Sequence, residues 1–196
     1  MTPLESKLGL AAGELDAYPT QLQHMLGGRE FMHLIESPAR ARHQADWRNF
    51  LQALIKRPPS SLELVQAFHT QWHVCHHRLR ELVNDDDLLL DAARAWLPAY
   101  AGSGLTLYRG ENIDRHEAGR IGSAWSDSRE TAHMFASGLN AVGRGGVVLE
   151  AFVAASAIIS GPSKHSSRWL NENEFTVDTR SIVGISETAR FPARVL

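Results

Sequence analysis

The hydrophobic rhythm of this 196-residue chain changes period near its middle, and one kind of secondary structure cannot satisfy both halves. Up to about residue 100 the apolar residues recur every three or four positions; after Ala101-Gly102-Ser103-Gly104 they alternate with polar ones. A spacing of about 3.6 lines one face of a helix, and a spacing of about 2 lines one face of a strand. The chain is therefore expected to be α+β, with a helical region over residues 1–102 and a β-rich region over 103–196. At roughly 100–200 residues per domain, its length allows one domain or two small ones.

In the first half, Trp47, Phe50, Leu51 and Leu54 fall at helical spacing before Pro58-Pro59 ends the run. Ser60-Ser61 then offers an N-cap for a long helix with an apolar stripe of Val65, Phe68, Trp72, Cys75, Leu79 and Leu82. That stripe needs a partner, either Trp47, Phe50 and Leu54 or the sheet. Asn84-Asp85-Asp86-Asp87 closes this helix and favours the start of another, from Leu88 to Trp96, because acidic groups suit a helix N-terminus. His69, His73 and His76 share a helical face, with Cys75 and His77 beside them. No further cluster at ligand spacing joins them, so they read as boundary residues flanking the stripe, and no metal is expected.

In the second half, strands are expected where Leu105, Leu107 and Arg109 alternate with Thr106 and Tyr108, and at 146–153, 175–177 and 181–185. One helix crosses between the first two. Asp127-Ser128-Arg129-Glu130 has the form of a capping box, and Ala132, Phe135, Ala136 and Leu139 are its expected buried face.

Charge and cysteine usage narrow the function classes. Twenty Lys and Arg against twenty-two Asp and Glu leave a net charge of −2, with no dominant nucleic-acid or membrane footprint. The single cysteine, Cys75, excludes an intrachain disulfide framework and a four-cysteine zinc site. No basic segment precedes an apolar run at the start, and no stretch nears the roughly 18–20 apolar residues of a membrane span. A cytoplasmic protein without a membrane partner is expected, one that could still be delivered into a target cell.

Three features in the second half carry chemistry, in a fixed order. The first is Leu107-Tyr108-Arg109-Gly110 on a strand; the second is Ala124-Trp125-Ser126-Asp127-Ser128 running into the crossing helix. The third is Asn171-Glu172-Asn173-Glu174-Phe175, in which an extended chain would put both glutamates on one side and Phe175 and Val177 on the other, toward a core. Singly, each is a common feature of surfaces and helix starts. Together, from Leu105 to near the C-terminus, they resemble the mono-ADP-ribosyltransferases of the arginine–serine–glutamate type, small bacterial and phage members in particular.

The resemblance implies a β-sandwich of mixed strands with a crossing helix, and NAD as co-substrate without a metal. Arg109 would hold an NAD phosphate and Gly110 would contact the nicotinamide amide through its backbone. Ser126 would be the active-site serine, Glu174 the catalytic glutamate, and Glu172 the residue that helps position the acceptor. Trp169, in the turn before the glutamates, would contact the acceptor, and the 137–144 loop with Arg144 would cover the nicotinamide phosphate. Ala124 departs from the pattern, standing where the family usually has a first serine. The acceptor would be a macromolecule, with a protein arginine among the candidates, and the role that of a toxin, effector or phage-encoded modifier. The helical half would serve as a target platform, a delivery segment or a dock for a neutralising partner protein. An NAD glycohydrolase on the same fold and a non-enzymatic binding module are the competing readings.

The residue chemistry agrees with these roles. A guanidinium binds a pyrophosphate through a planar fork that lysine lacks. Cleaving the nicotinamide–ribose bond produces an oxocarbenium-like ribose, which a fixed carboxylate stabilises. Nicotinamide leaves as a neutral base, so no general acid is needed.

Overall fold

The two polar caps expected in the first half both open helices in the computed structural model, which describes residues 1–28 and 31–194. The Ser61 side chain accepts from the Leu64 N–H and starts α5 (Leu62–Val83). Asn84, left-handed at φ 52°, ends it. The Asp85 carboxylate then accepts from the Leu88 N–H and opens α6 (Asp86–Trp96). Before these come α4 (Arg40–Lys56) and three shorter helices, α1 (Pro3–Lys7), α2 (Thr20–Leu26) and α3 (Met32–Glu36). The short ones were not legible as periodicity, because five to seven residues are too few to draw a stripe.

The chain divides into two compact units, Met1–Pro98 and Ala99–Leu196. In the first, α5 packs against α2, α3, α4 and α6. Its core is aromatic: Phe31 meets Trp47 edge-on at 4.8 Å between ring centres, and Phe68 lies 4.9 Å from Trp96. The Trp96 indole N–H donates to the Leu54 carbonyl at 2.9 Å, which satisfies the polar handle of a fully buried ring. Trp47, Phe50 and Leu54 are buried in the same unit, as the stripe required.

Two details of α5 differ from expectation. Leu64 is fully buried where Val65 was expected, and Val65 is only half-buried. His69 and His73 are 7% and 5% exposed, so they are interior residues and not boundary ones. Four neighbouring helices cover more of α5 than a single stripe, and that wider face takes in both rings, 4.6 Å apart. Among the described residues no group of three or more His, Cys, Asp or Glu is placed to hold a metal. No described helix is long and apolar enough to cross a membrane.

The second unit holds β1 (Leu105–Asn112), α7 (Ile113–Glu117), β2 (Ala124–Ser126), α8 (Arg129–Ser137), β3 (Gly146–Val153), β4 (Ile158–Ser160), β5 (Glu174–Val177) and β6 (Ser186–Phe191). Where a mixed sandwich was expected, the strands form one sheet in the order β4-β5-β2-β1-β3-β6 with every pairing antiparallel. The sheet is uneven. β1 and β3 pair along eight residues, but β1 and β2 are joined only by Tyr108 opposite Ser126. Two three-stranded halves therefore meet at a seam one residue pair wide.

One face of the sheet is the core, with Leu107, Trp125, Leu149, Phe175 and Val177 buried together. The other carries α8, whose Ala132 and Ala136 pack on Val148. Glycine makes that close approach possible: a Cβ on Gly110 would overlap the Ala132 carbonyl and the Ala136 nitrogen, and one on Gly146 would overlap the Ala136 carbonyl. Ser128 caps α8 by accepting from the Thr131 N–H, but the helix stops at Ser137 and leaves the expected core residue Leu139 exposed.

The expected strand over 181–185 is also absent. That stretch follows a 3-10 turn at Thr179–Ser181, its Val183 is 86% exposed, and Gly184 has φ +75°. The strand lies later, over Ser186–Phe191, at the sheet edge, where only Ala189 and Phe191 pack inward and leave too short an apolar alternation to signal a strand.

Because the atoms facing Gly110 are backbone, they cannot swing aside. Gly110→Ala is expected to destabilise the unit by about 1–3 kcal/mol, seen as a lower urea midpoint at unchanged slope. A midpoint equal to wild type would mean that α8 does not sit this close to β1.

Candidate functional site

The seam gathers the residues that the sequence singled out. Tyr108 stands opposite Ser126, and Ser126 stands opposite Glu174, so three adjacent strands put these side chains in one rung on one face. Trp125 and Phe175 alternate to the other side and are buried in the core. The alternation expected at Phe175 and Val177 therefore holds from Glu174 onward.

Arg109 follows Tyr108 and so has the parity of Leu107 and Glu111. Its guanidinium works across the seam. Nη1 donates to the Ala124 carbonyl on β2 at 2.5 Å, while Nε and Nη2 both meet Glu111 Oε2 at 2.8 Å. The arginine side chain is 12% exposed and that of Glu111 is 0% exposed. The Glu111 carboxylate also accepts from the backbone N–H groups of Asn112 and Gly122, both at 2.9 Å. Burial alone would raise its pKa. The Arg109 charge and the two N–H donors outweigh burial and hold the carboxyl below its ordinary value. The edge of the guanidinium expected to grip a phosphate thus already holds a carboxylate.

That geometry also bears on Ala124. Arg109 uses its carbonyl, a group any residue supplies, so alanine in place of serine leaves this contact intact.

Glu174 is buried, at 8% exposed. Desolvation and the neighbouring Glu172 charge raise its pKa well above the ordinary value, against a smaller opposing effect of Arg109. Glu172 is half-buried, and burial raises its carboxyl too. The two carboxylates feel each other, but not by the extended geometry expected. Asn171 and Asn173 are left-handed at φ 54° and 46°, so the chain turns through Glu172 and becomes a strand only at Glu174. Asparagine tolerates that conformation better than most residues.

Ser126 holds this turn from one side. Its hydroxyl donates to the Glu172 carbonyl at 2.6 Å and accepts from the Ser128 N–H at 3.0 Å. Through the first of these bonds Ser126 holds the chain two residues before Glu174. Gly110 is in the wall under α8, and its carbonyl accepts from the Asn140 side chain at 2.8 Å. Trp169 is 80% exposed on the π-helical turn Ser166–Leu170. Arg144 belongs to a different cluster: it pairs with Asp114 at 2.5 Å and with Glu117.

Sequence reading missed three residues here. Glu111 was legible in principle, since Leu105, Leu107, Arg109 and Glu111 share one parity. Tyr108 could be read as sharing the opposite parity; its ring also lies under the Arg129 guanidinium at 5.1 Å, and Arg129 bonds Glu150. Ser166, whose hydroxyl accepts from the Glu174 N–H, carried no signal among the four serines of 160–167. No family model, curated protein or solved structure matches the chain significantly.

The two buried carboxylates predict opposite pH effects. Glu174 ionises with more difficulty folded than unfolded, so its cost to stability is absent in acid and grows as pH rises toward the raised value. Glu174→Gln is therefore expected to match wild type near pH 4 and exceed its melting temperature near pH 8. Glu111 stabilises above the ordinary carboxylate range, and that stabilisation is lost as pH falls through its lowered value. Glu111→Gln should cost about 3 kcal/mol near neutrality, because Arg109 is left buried without its counter-charge. Melting curves of both variants across pH decide; parallel curves would refute the assigned environments.

Proposed function

We propose that the C-terminal unit is a mono-ADP-ribosyltransferase that cleaves NAD at the nicotinamide–ribose bond and passes ADP-ribose to a macromolecular acceptor. The observation that carries this reading is that Ser126 and Glu174 share a rung at the one-pair seam of the sheet, which Arg109 crosses close enough for its charge to act on Glu174. Three motifs separated by up to 65 residues in sequence would have no reason to meet there by helix or strand periodicity alone.

The chemistry asks for a carboxylate beside a developing cation. As the C–N bond breaks, its electron pair leaves with nicotinamide as a neutral base, and positive charge develops on the ribose. Glu174 faces that charge from a dry position, where an ionic interaction is stronger than in water. The same burial makes the empty site a poor place for its own charge. A cationic nicotinamide ring, and then the oxocarbenium, offsets that cost, so the interaction strengthens as the reaction proceeds. Arg109 keeps β1 and β2 together and presents its remaining N–H groups to a phosphate. The acceptor nucleophile bonds to the ribose carbon and gives up its proton, and Glu172 and Trp169 are the side chains we assign to its positioning.

NAD labelled separately in the nicotinamide and adenylate halves tests this. With a cell lysate as acceptor, nicotinamide should be released and adenylate label should become acid-precipitable. Glu174→Gln should lower both by about 10²-fold or more. Nicotinamide release without precipitable label would replace transfer by hydrolysis. No release from the folded wild type with any lysate would overturn the reading.

A further inference from the structure

Ser166 is fully buried and meets the glutamate turn at two points. Its carbonyl accepts from the Glu172 N–H at 3.1 Å and its hydroxyl accepts from the Glu174 N–H at 2.8 Å. The Ser166 N–H in turn donates to the Ser163 hydroxyl at 3.1 Å, and Ser163 is itself buried. From the other side, Ser126 on β2 donates to the Glu172 carbonyl. The backbone between Leu170 and Phe175 is thus gripped at a carbonyl by one buried serine and at two N–H groups by another.

The conformation so held is one the chain does not adopt readily. Asn171 and Asn173 both have positive φ, and such residues persist only where their surroundings over-determine them. Relaxing Asn173 to negative φ would rotate the peptide that leads into Glu174 and swing its side chain out of the rung with Ser126.

We infer that Ser166 is the positioning residue of Glu174: through one hydroxyl–amide bond it fixes where the carboxylate stands at the seam, without touching substrate itself. The inference rests on the transferase reading for its consequence on NAD, but not for the geometry. It also ties the turn that bears Trp169 to the glutamates, since Ser166, its first residue, bonds the backbone of both Glu172 and Glu174.

Ser166→Ala tests it, because it removes the acceptor for Glu174 and leaves the carbonyl that holds Glu172. Three readouts on the full chain are expected to move together. The Glu174 amide should exchange with deuterium at least 10-fold faster. The carboxyl carbon of Glu174, followed by NMR, should titrate closer to an ordinary glutamate as water reaches it. Nicotinamide release should fall about 10²-fold in kcat with KM for NAD within about twofold, as misplacement by about an ångström does. Should Ser166→Ala fold poorly, Ser163→Ala loosens the same clamp one bond away and should move the readouts in the same direction by less. A folded Ser166→Ala with unchanged Glu174 exchange and titration overturns the inference. If the wild type releases no nicotinamide, the transferase reading fails alone, and exchange and titration still judge the positioning role.

Discussion

The buried ion pair between Arg109 and Glu111 is the interaction on which the second unit depends. The sheet would otherwise be joined across β1 and β2 by a single residue pair. Arg109 adds a second tie, from its own strand to the Ala124 carbonyl, and Glu111 makes that tie affordable by neutralising the guanidinium where little water reaches. Two backbone N–H groups complete the carboxylate's bonding. Such a pair gives modest net stability as built but costs about 3–5 kcal/mol to break from one side, so it specifies an arrangement more than it stabilises one.

What the arrangement specifies is a rung. With β2 held against β1, Ser126 falls between Tyr108 and Glu174, and a carboxylate that would avoid burial is kept buried beside a second one. Burial and the Glu172 charge raise its pKa, a cost that a cationic ligand would offset under the transferase reading we propose. The cost is carried by the rest of the fold: the aromatic and aliphatic core behind Trp125 and Phe175, the glycines that admit α8, and the serines that grip the glutamate turn.

Much of this was legible in the sequence. Helices α4, α5 and α6 were readable because their stripes are long and their caps are polar. Strands β1, β3 and β5 were readable because one face of each is core. The failures share a cause: interactions set from outside the element. His69 and His73 are buried because four helices surround α5, which no local pattern reports. β6 is an edge strand in which only Ala189 and Phe191 pack inward, while the apolar 182–185 stretch lacks a sheet neighbour. At the site, residue types and order were readable, but bonding was not. Arg109 meets Glu111 before any phosphate, Ser126 grips the Glu172 carbonyl, and Arg144 is engaged by Asp114 and Glu117.

The tie across the seam is tested most directly by a double-mutant cycle on Arg109→Gln and Glu111→Gln, read by urea unfolding. Each single change leaves one charge buried alone, whereas the double change removes both. The loss in the double variant is therefore expected to fall short of the sum of the single losses by more than about 1 kcal/mol. Additive losses, within about 0.5 kcal/mol, would mean that the two side chains do not act as a unit and that the seam is held by something else.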